Sequence, residues 1–396
     1  MTPGARAAAA IAVMEKVLGG APAEVALTNW GRSNRYAGSG DRAAIRDIVY
    51  DILRCRRSLA ALGGGADSDG ALNGGAVNGG AAARRLVLGW ARERGLEGLF
   101  DGQGHAPAPP SPEEAGRIPE GLEALDCPDW LEAPLREGLG DRFAPVMQAM
   151  RQRAPVFLRA NVARTSRDGA IAALAADGVV AEAHPLADTA LVVRDGARRV
   201  QQGRAYAEGL VELQDASSQA VVGMLPLADG MAVLDLCAGG GGKTLAMAAR
   251  ARLDLFAHDA EPRRMADLPA RAERADARLR ITERPEKTAP YDLVLTDVPC
   301  SGSGSWRRDP EGKWALTPAW LGSLLAVQAG ILDRAAAMVG PGGILAYATC
   351  SMIEAENGAQ VAAFLARHPG WHLERDRRFT PLEEGDGFYG AVLRRV

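Results

Sequence analysis

Lysine is nearly missing from this 396-residue chain: Lys16, Lys243, Lys287 and Lys313 are the four, and arginine carries the rest of its positive charge. With 46 basic against 49 acidic residues the net charge is −3, so any contact with a polyanion must come from local patches. Cysteine is scarce as well. Cys55, Cys127, Cys237, Cys300 and Cys350 are odd in number and widely spaced, which argues against a disulfide framework and against a CxxC metal site; no metal is expected. An unbroken apolar stretch of about 18 residues is lacking, so no membrane-spanning helix is expected. The alanine run Ala7 to Val13 is short and leads into Glu15-Lys16, not into a secretory cleavage site. A reducing cytoplasm is the expected location. Hydrophobic content of 47% and charged content of 24% are those of a globular protein, and the length allows two or three domains.

Helical spacing appears first, in Ala9, Val13, Met14, Val17 and Leu18. It recurs over Asp41 to Arg56 through Ile45, Ile48, Val49, Ile52 and Leu53, and returns at Ala81 to Arg94. Between them Gly63 to Gly80 is glycine, alanine, asparagine and serine, which reads as a flexible connection. A proline-rich linker, Ala106 to Pro112, closes this part. An amphipathic helix pair is expected over residues 127–150. From Pro155 the pattern changes: strands over Val156 to Asn161, Val179 to Ala183 and Ala190 to Arg194, with a helix from Ser166 to Asp177, suit a small ferredoxin-like layer. Nine arginines between Arg151 and Arg204 make it the most basic region. They suit either a phosphate-facing sheet or an ordinary solvated surface.

From Gln214 onward strand and helix alternate. Strands are predicted at Met231–Leu236, Leu253–His258, Ala277–Ile281, Tyr291–Thr296 and Gly343–Ala348, with helices at Lys243–Arg252, Glu261–Ala275, Pro318–Val339 and Glu354–His368. That alternation favours a mostly parallel, doubly wound α/β sheet, with ligands at the carboxyl ends of its strands. The first strand breaks into Cys237-Ala238-Gly239-Gly240-Gly241-Gly242-Lys243-Thr244. A P-loop needs a glycine where Cys237 stands, and a dinucleotide fingerprint counted from Gly239 ends on Thr244; both nucleotide patterns fail by one residue. An acid arrives on schedule: Asp259 ends the next strand, 20 residues after Gly239, where a carboxylate can accept two ribose hydroxyls. A ribose without a phosphate cradle points to S-adenosyl-L-methionine, against the plainer reading of a glycine turn.

Two further strand ends carry Asp297-Val298-Pro299-Cys300-Ser301-Gly302 and Thr349-Cys350-Ser351. Neighbouring parallel strands would bring both thiols and the Asp297 carboxylate to one cleft. Cys55 and Cys127 read as small buried hydrophobes, and Cys237 as a shaper of the ligand pocket.

These residues resemble the paired signature of the Sun-type RNA cytosine-5 methyltransferases, in particular the bacterial small-subunit (16S) ribosomal RNA methyltransferase B branch. Supporting pieces follow in order: Gln214 to Ser218, Arg307-Arg308-Asp309-Pro310 with Lys313-Trp314, Gln328, Glu356-Asn357, and Gly385 to Tyr389. The resemblance covers residues 127–396, and the first hundred residues are similar in outline to a NusB-like helical domain. It implies a Rossmann-like S-adenosylmethionine-dependent methyltransferase domain (213–396), preceded by linker helices and a small RRM- or ferredoxin-like α+β segment (126–212) and an all-α domain (1–125). It implies Cys350 as nucleophile toward carbon 6 of cytosine, Cys300 in resolving the adduct, and Asp297 on the N3/N4 edge of the base. The cofactor would be held by Cys237 to Lys243, Asp259, Glu261, Arg264, Glu283 and Asp297. Arg307, Arg308 and Lys313 are placed near RNA, either ribosomal RNA or transfer RNA, with the protein acting as a monomer. The chain departs from the family pattern in having Gly239-Gly240 where Ala-Pro is usual. It also lacks an aspartate after the third strand, where only Glu283 is offered, which leaves open an RNA-binding assembly factor of the same fold.

Overall fold

The computed structural model describes residues 1–65 and 79–396; most of the stretch read as a flexible connection, Gly63 to Gly80, lies outside them. Two compact units emerge: one holds Met1–Arg153 with Trp306–Leu316, the other Ala154–Ser305 with Thr317–Val396.

The first unit is helical. Helices Pro3–Leu18, Ser39–Arg54, Arg56–Leu62 and Gly79–Glu93 share a core that includes Met14, Ile45, Val49, Ile52, Leu59 and Leu86. The period read from Ile45 to Leu53 is thus a buried face. A further helix, Ala23–Ser33, buries Ala23, Ala26 and Leu27. The pair expected over 127–150 forms Glu132–Leu139 and Phe143–Met150 and belongs to this unit. Fully buried Asp126 accepts from Ser58 N at 2.9 Å, Ser58 Oγ at 2.8 Å and Arg151 Nε at 2.9 Å. The segment Trp306–Leu316 caps the end of helix Ser39–Arg54. Lys313 Nζ donates to the Arg54 carbonyl at 2.9 Å, and Trp314 Nε1 to the Leu53 carbonyl at 2.6 Å. Those carbonyls have no partner within the helix.

In the second unit, β1 (Val156–Ala160), β2 (Val180–Ala183), β3 (Ala190–Asp195) and β4 (Val211–Leu213) make an antiparallel sheet in the order β2-β3-β1-β4. The helix Arg167–Ala176 begins at Ser166, whose hydroxyl accepts from Gly169 N at 3.0 Å. The main sheet has seven strands: β5 (Ala232–Asp235), β6 (Asp254–Ala257), β7 (Arg280–Ile281), β8 (Tyr291–Asp297), β9 (Val339–Thr349), β10 (Trp371–Phe379) and β11 (Phe388–Arg395). Their order is β10-β11-β9-β8-β5-β6-β7. Strands β5 to β9 pair in parallel, and the β10–β11 hairpin adds antiparallel to β9. This is a Rossmann-like α/β domain with two strands more than the sequence suggested. From β5 the chain winds outward through β6 and β7, then returns to lay β8 on its other side. The crevice between β5 and β8 is therefore a topological switch point, where open α/β sheets bind ligands.

Helix Pro318–Met338 spans 21 residues and is apolar enough, by length and mean hydropathy of 1.2, to cross a membrane. Here it packs on the sheet through Leu332, Ala335, Ala336 and Met338, and its buried Gln328 donates to the Pro299 carbonyl at 3.0 Å.

Candidate active site

The chain leaves β5 at Asp235 and turns through the glycines into helix Gly242–Ala248. Gly239 and Gly241 have φ of +50° and +80°, a region that L side chains rarely adopt. A Cβ on Gly241 would also collide with Leu268. Asp259, buried beyond the end of β6, anchors this loop: its Oδ2 accepts from Gly239 N at 2.9 Å and its Oδ1 from Glu261 N at 2.9 Å. Each oxygen is engaged once by backbone, and Oδ1 keeps a lone pair for a ligand. Arg264 lies 3.4 Å from the same carboxylate.

Asp235 sits beneath the loop. Its Oδ2 accepts from Thr244 Oγ1 at 2.6 Å, while its buried Oδ1 has no hydrogen-bond partner among the described residues. Burial pushes this carboxyl up to about 7, against the Thr244 bond, and the nearby Asp297 and Asp259 add to the rise.

Lys243, buried in the first turn of the helix, reaches across the switch point and donates to Asp297 Oδ2 at 2.6 Å. Its ammonium stands 4.9 Å from the Phe388 ring centre. Burial alone would lower its pKa; the Asp297 carboxylate outweighs that, Cys350 adds to it electrostatically, and the net direction is up. Lys243 is therefore a fixed positive charge whose field reaches both the Asp297 carboxylate and the Cys350 sulfur.

The loops after β8 and β9 bring the two thiols together, with Cys300 Sγ 3.4 Å from Cys350 Sγ. Contact with Cys350, then burial, pushes the Cys300 thiol well above its usual range. One fully buried carboxylate, Glu356, ties the two loops together. It accepts from Ser301 N at 2.8 Å, Ser301 Oγ at 2.5 Å, Ser351 Oγ at 2.5 Å and Gln328 Nε2 at 3.0 Å. Ser303 Oγ lies 3.0 Å from Ser351 Oγ and accepts from Met352 N at 2.8 Å. Gly304 N donates to the Cys350 carbonyl at 2.9 Å.

Of the residues expected from sequence, the structure gathers Gly239 to Gly242, Lys243, Asp259, Asp297, Cys300 and Cys350 on the carboxyl side of the sheet. Cys237 is half-buried at the loop's start, and Ala238 is held through its amide by the His258 carbonyl at 2.9 Å. Glu261, Arg264 and Glu283 are exposed, and Glu283 follows the two-residue edge strand β7. The placement of Arg307 and Lys313 near RNA needs correction. They are 4% and 2% exposed, within the helical unit. Lys313 is spent on the Arg54 carbonyl, while the Arg307 carbonyl receives Arg54 Nε at 2.8 Å. Among the three, Arg308 is exposed. The basic surface expected of the small sheet is also reduced, since Arg159 is buried and donates to Gln214 Oε1 at 2.7 Å. Sequence reasoning gave no role to Asp235, Glu356 or the serines; no short-range pattern marks a buried acid, although Glu356 belonged to a matching motif.

Two family models match the chain. Residues 222–393 match the 16S rRNA methyltransferase RsmB/F model, and residues 127–200 match the RsmF/B-like ferredoxin-like domain. The chain is 34% identical over 284 residues to ribosomal RNA small subunit methyltransferase B of Salmonella arizonae. That alignment covers 67% of this chain and 66% of that protein, so the match spans slightly under two thirds of the curated relative's length. Among solved structures it is similar in fold to PH0851, with TM-score 0.76 and 22% identity over 100% of this chain and 99% of that one. It is also similar to NSun6 from Pyrococcus horikoshii with SFG, with TM-score 0.60 and 17% identity over 68% and 98%.

Proposed function

Because the chain belongs to the 16S rRNA methyltransferase RsmB/F family, we propose that it methylates carbon 5 of a cytosine in ribosomal RNA through a covalent bond from Cys350 to carbon 6. The observation that carries this reading is the pair of thiols 3.4 Å apart beside the Lys243–Asp297 ion pair. A cytosine carbon 5 is too weak a nucleophile to be methylated directly. A thiolate added at carbon 6 makes carbon 5 enamine-like, which is covalent catalysis. The Lys243 ammonium, paired with Asp297 at 2.6 Å, puts a positive charge in the same cleft. Asp297 is suited to the N3/N4 edge of cytosine, where a carboxylate accepts from the exocyclic amine. Release of Cys350 is an elimination: the carbon 5 proton goes to a base such as water, its electron pair re-forms the 5,6 double bond, and the carbon–sulfur bond breaks to give the thiolate. Cys300, 3.4 Å from that sulfur, is placed to assist this base-assisted elimination or the release of product. The target base must leave its stack to enter.

The loop fits S-adenosylmethionine. Gly239 to Gly242 present backbone without Cβ atoms, Asp259 Oδ1 has acceptor capacity beyond Glu261 N, and Asp235 Oδ1, without a hydrogen-bond partner among the described residues, suits a donor such as the ligand's ammonium. Bound there, the cofactor supplies an electrophilic methyl group. The test is methyl transfer to unmethylated small-subunit ribosomal RNA, followed by digestion to nucleosides. Appearance of 5-methylcytidine supports the reading; its absence there, with transfer to tRNA instead, moves the substrate, and absence from both overturns the enzyme.

A further inference from the structure

Four consecutive glycines lose more backbone freedom on ordering than any other residues would, and Gly240 at their crest is exposed. The fold meets this with a side chain from elsewhere. Arg271, on helix Leu268–Ala275, donates through Nη1 to the Gly240 carbonyl. Its Nη2 lies 3.4 Å from Glu212 Oε1, and Arg274 donates to Glu212 Oε2 at 2.8 Å. Glu212 is buried on β4 of the small sheet. The same helix end is held to that sheet's unit by Asn161 Nδ2, which donates to the Ala275 carbonyl at 2.9 Å. The guanidinium is thus oriented at one end by a buried carboxylate and grips the loop with the other. A Cβ built on Gly240 would stand 3.0 Å from Arg271 Nη1, so the arginine crowds the space that a larger residue at 240 would need.

We propose that Arg271, oriented by Glu212, is a positioning residue that holds the Gly239–Gly242 loop in its cofactor-binding conformation. It does from outside what the Ala-Pro pair of the resembling sequences does by backbone stiffness. This rests on the S-adenosylmethionine reading of the loop. A rigid fork is required, because one ammonium cannot serve the carbonyl and the carboxylate in that geometry.

The test is calorimetric titration of the full chain with S-adenosylhomocysteine. Arg271→Ala is expected to weaken binding about tenfold, the worth of one charge-assisted hydrogen bond, with little change in the thermal midpoint of the ligand-free protein. Arg271→Lys should remain weakened, and Gly240→Ala in the Arg271→Ala background should recover part of the loss by stiffening the loop. Wild-type affinity in Arg271→Ala, or in Arg271→Lys, overturns the proposal. If the wild type itself does not bind, the cofactor reading fails, and hydrogen exchange of the ligand-free protein decides the clamp. Faster exchange at residues 239–241 in Arg271→Ala supports it; unchanged exchange overturns it.

Discussion

At the scale of single residues, the site separates groups of the same kind by their surroundings. Cys300 and Cys350 are in contact, yet Cys300 is pushed well above the usual thiol range by that contact and by burial. It therefore stays protonated at neutral pH, and iodoacetamide at pH 7 should label Cys350 ahead of Cys300, read by peptide mass spectrometry; the reverse order contradicts the assignment. Asp235 is divided in the same way from Asp297, which has the Lys243 ammonium at 2.6 Å while Asp235 has none. Its carboxyl rises from 3.8 to about 7 on folding, chiefly by burial. The folded state thus binds this proton more tightly, so its contribution to stability is full below about pH 4 and is lost as pH climbs through 7. Asp235→Asn keeps a neutral side chain at every pH. The thermal midpoint of wild type relative to Asp235→Asn should therefore fall steadily between pH 4 and pH 8, and parallel curves would contradict it.

Among the elements, the loops after β8 and β9 are held by Glu356. Replacing it with glutamine turns one acceptor oxygen into an amide that faces the donors Ser301, Ser351 and Gln328. Unfolding in urea should show a loss of about 3 kcal/mol, typical of a disrupted buried charge network. Turnover should fall more than S-adenosylhomocysteine affinity, because the glycine loop is built separately from β5. Equal stability and turnover would mean that the carboxylate does not set the thiol geometry. Strands β5, β8 and β9 were legible because each is an apolar run ending in a glycine or small-residue loop. Strands β10 and β11 were not. Trp371 to Phe379 reads Trp-His-Leu-Glu-Arg-Asp-Arg-Arg-Phe and is largely exposed at the sheet's edge, so neither apolar alternation nor an apolar run marks it. Strand β4 is three residues long and carries the buried Glu212, whose partners Arg271 and Arg274 lie some 60 positions away. Such a pairing has no local signal.

For the whole molecule, tertiary packing decides which basic residues reach the surface. Arg307 and Lys313, placed near RNA among the pieces that carry the family resemblance, are both buried by tertiary packing in the helical unit. Burial pushes the Lys313 ammonium down, against the nearby charge of Asp126. Lys313→Met should therefore lower the thermal midpoint while leaving the salt dependence of RNA binding unchanged. Exposed Arg308 behaves differently if it meets a phosphate: Arg308→Ala should reduce the slope of log affinity against log salt by about 1. A reduced slope in Lys313→Met would restore the phosphate reading. The cleft itself was legible because its chemistry is concentrated at strand ends that a doubly wound sheet must bring together. What the sequence could not show was the support behind it, in which Glu356, Asp235 and Arg271 act through partners distant along the chain.

The most direct test of the account is a denaturing gel of Cys300→Ala protein mixed with S-adenosylmethionine and unmethylated small-subunit ribosomal RNA. A slow band of protein covalently joined to RNA is expected, absent when Cys350 is also replaced by alanine. No such band, beside a wild type that produces 5-methylcytidine, would contradict the assignment of Cys350 as nucleophile and Cys300 as the thiol that releases it.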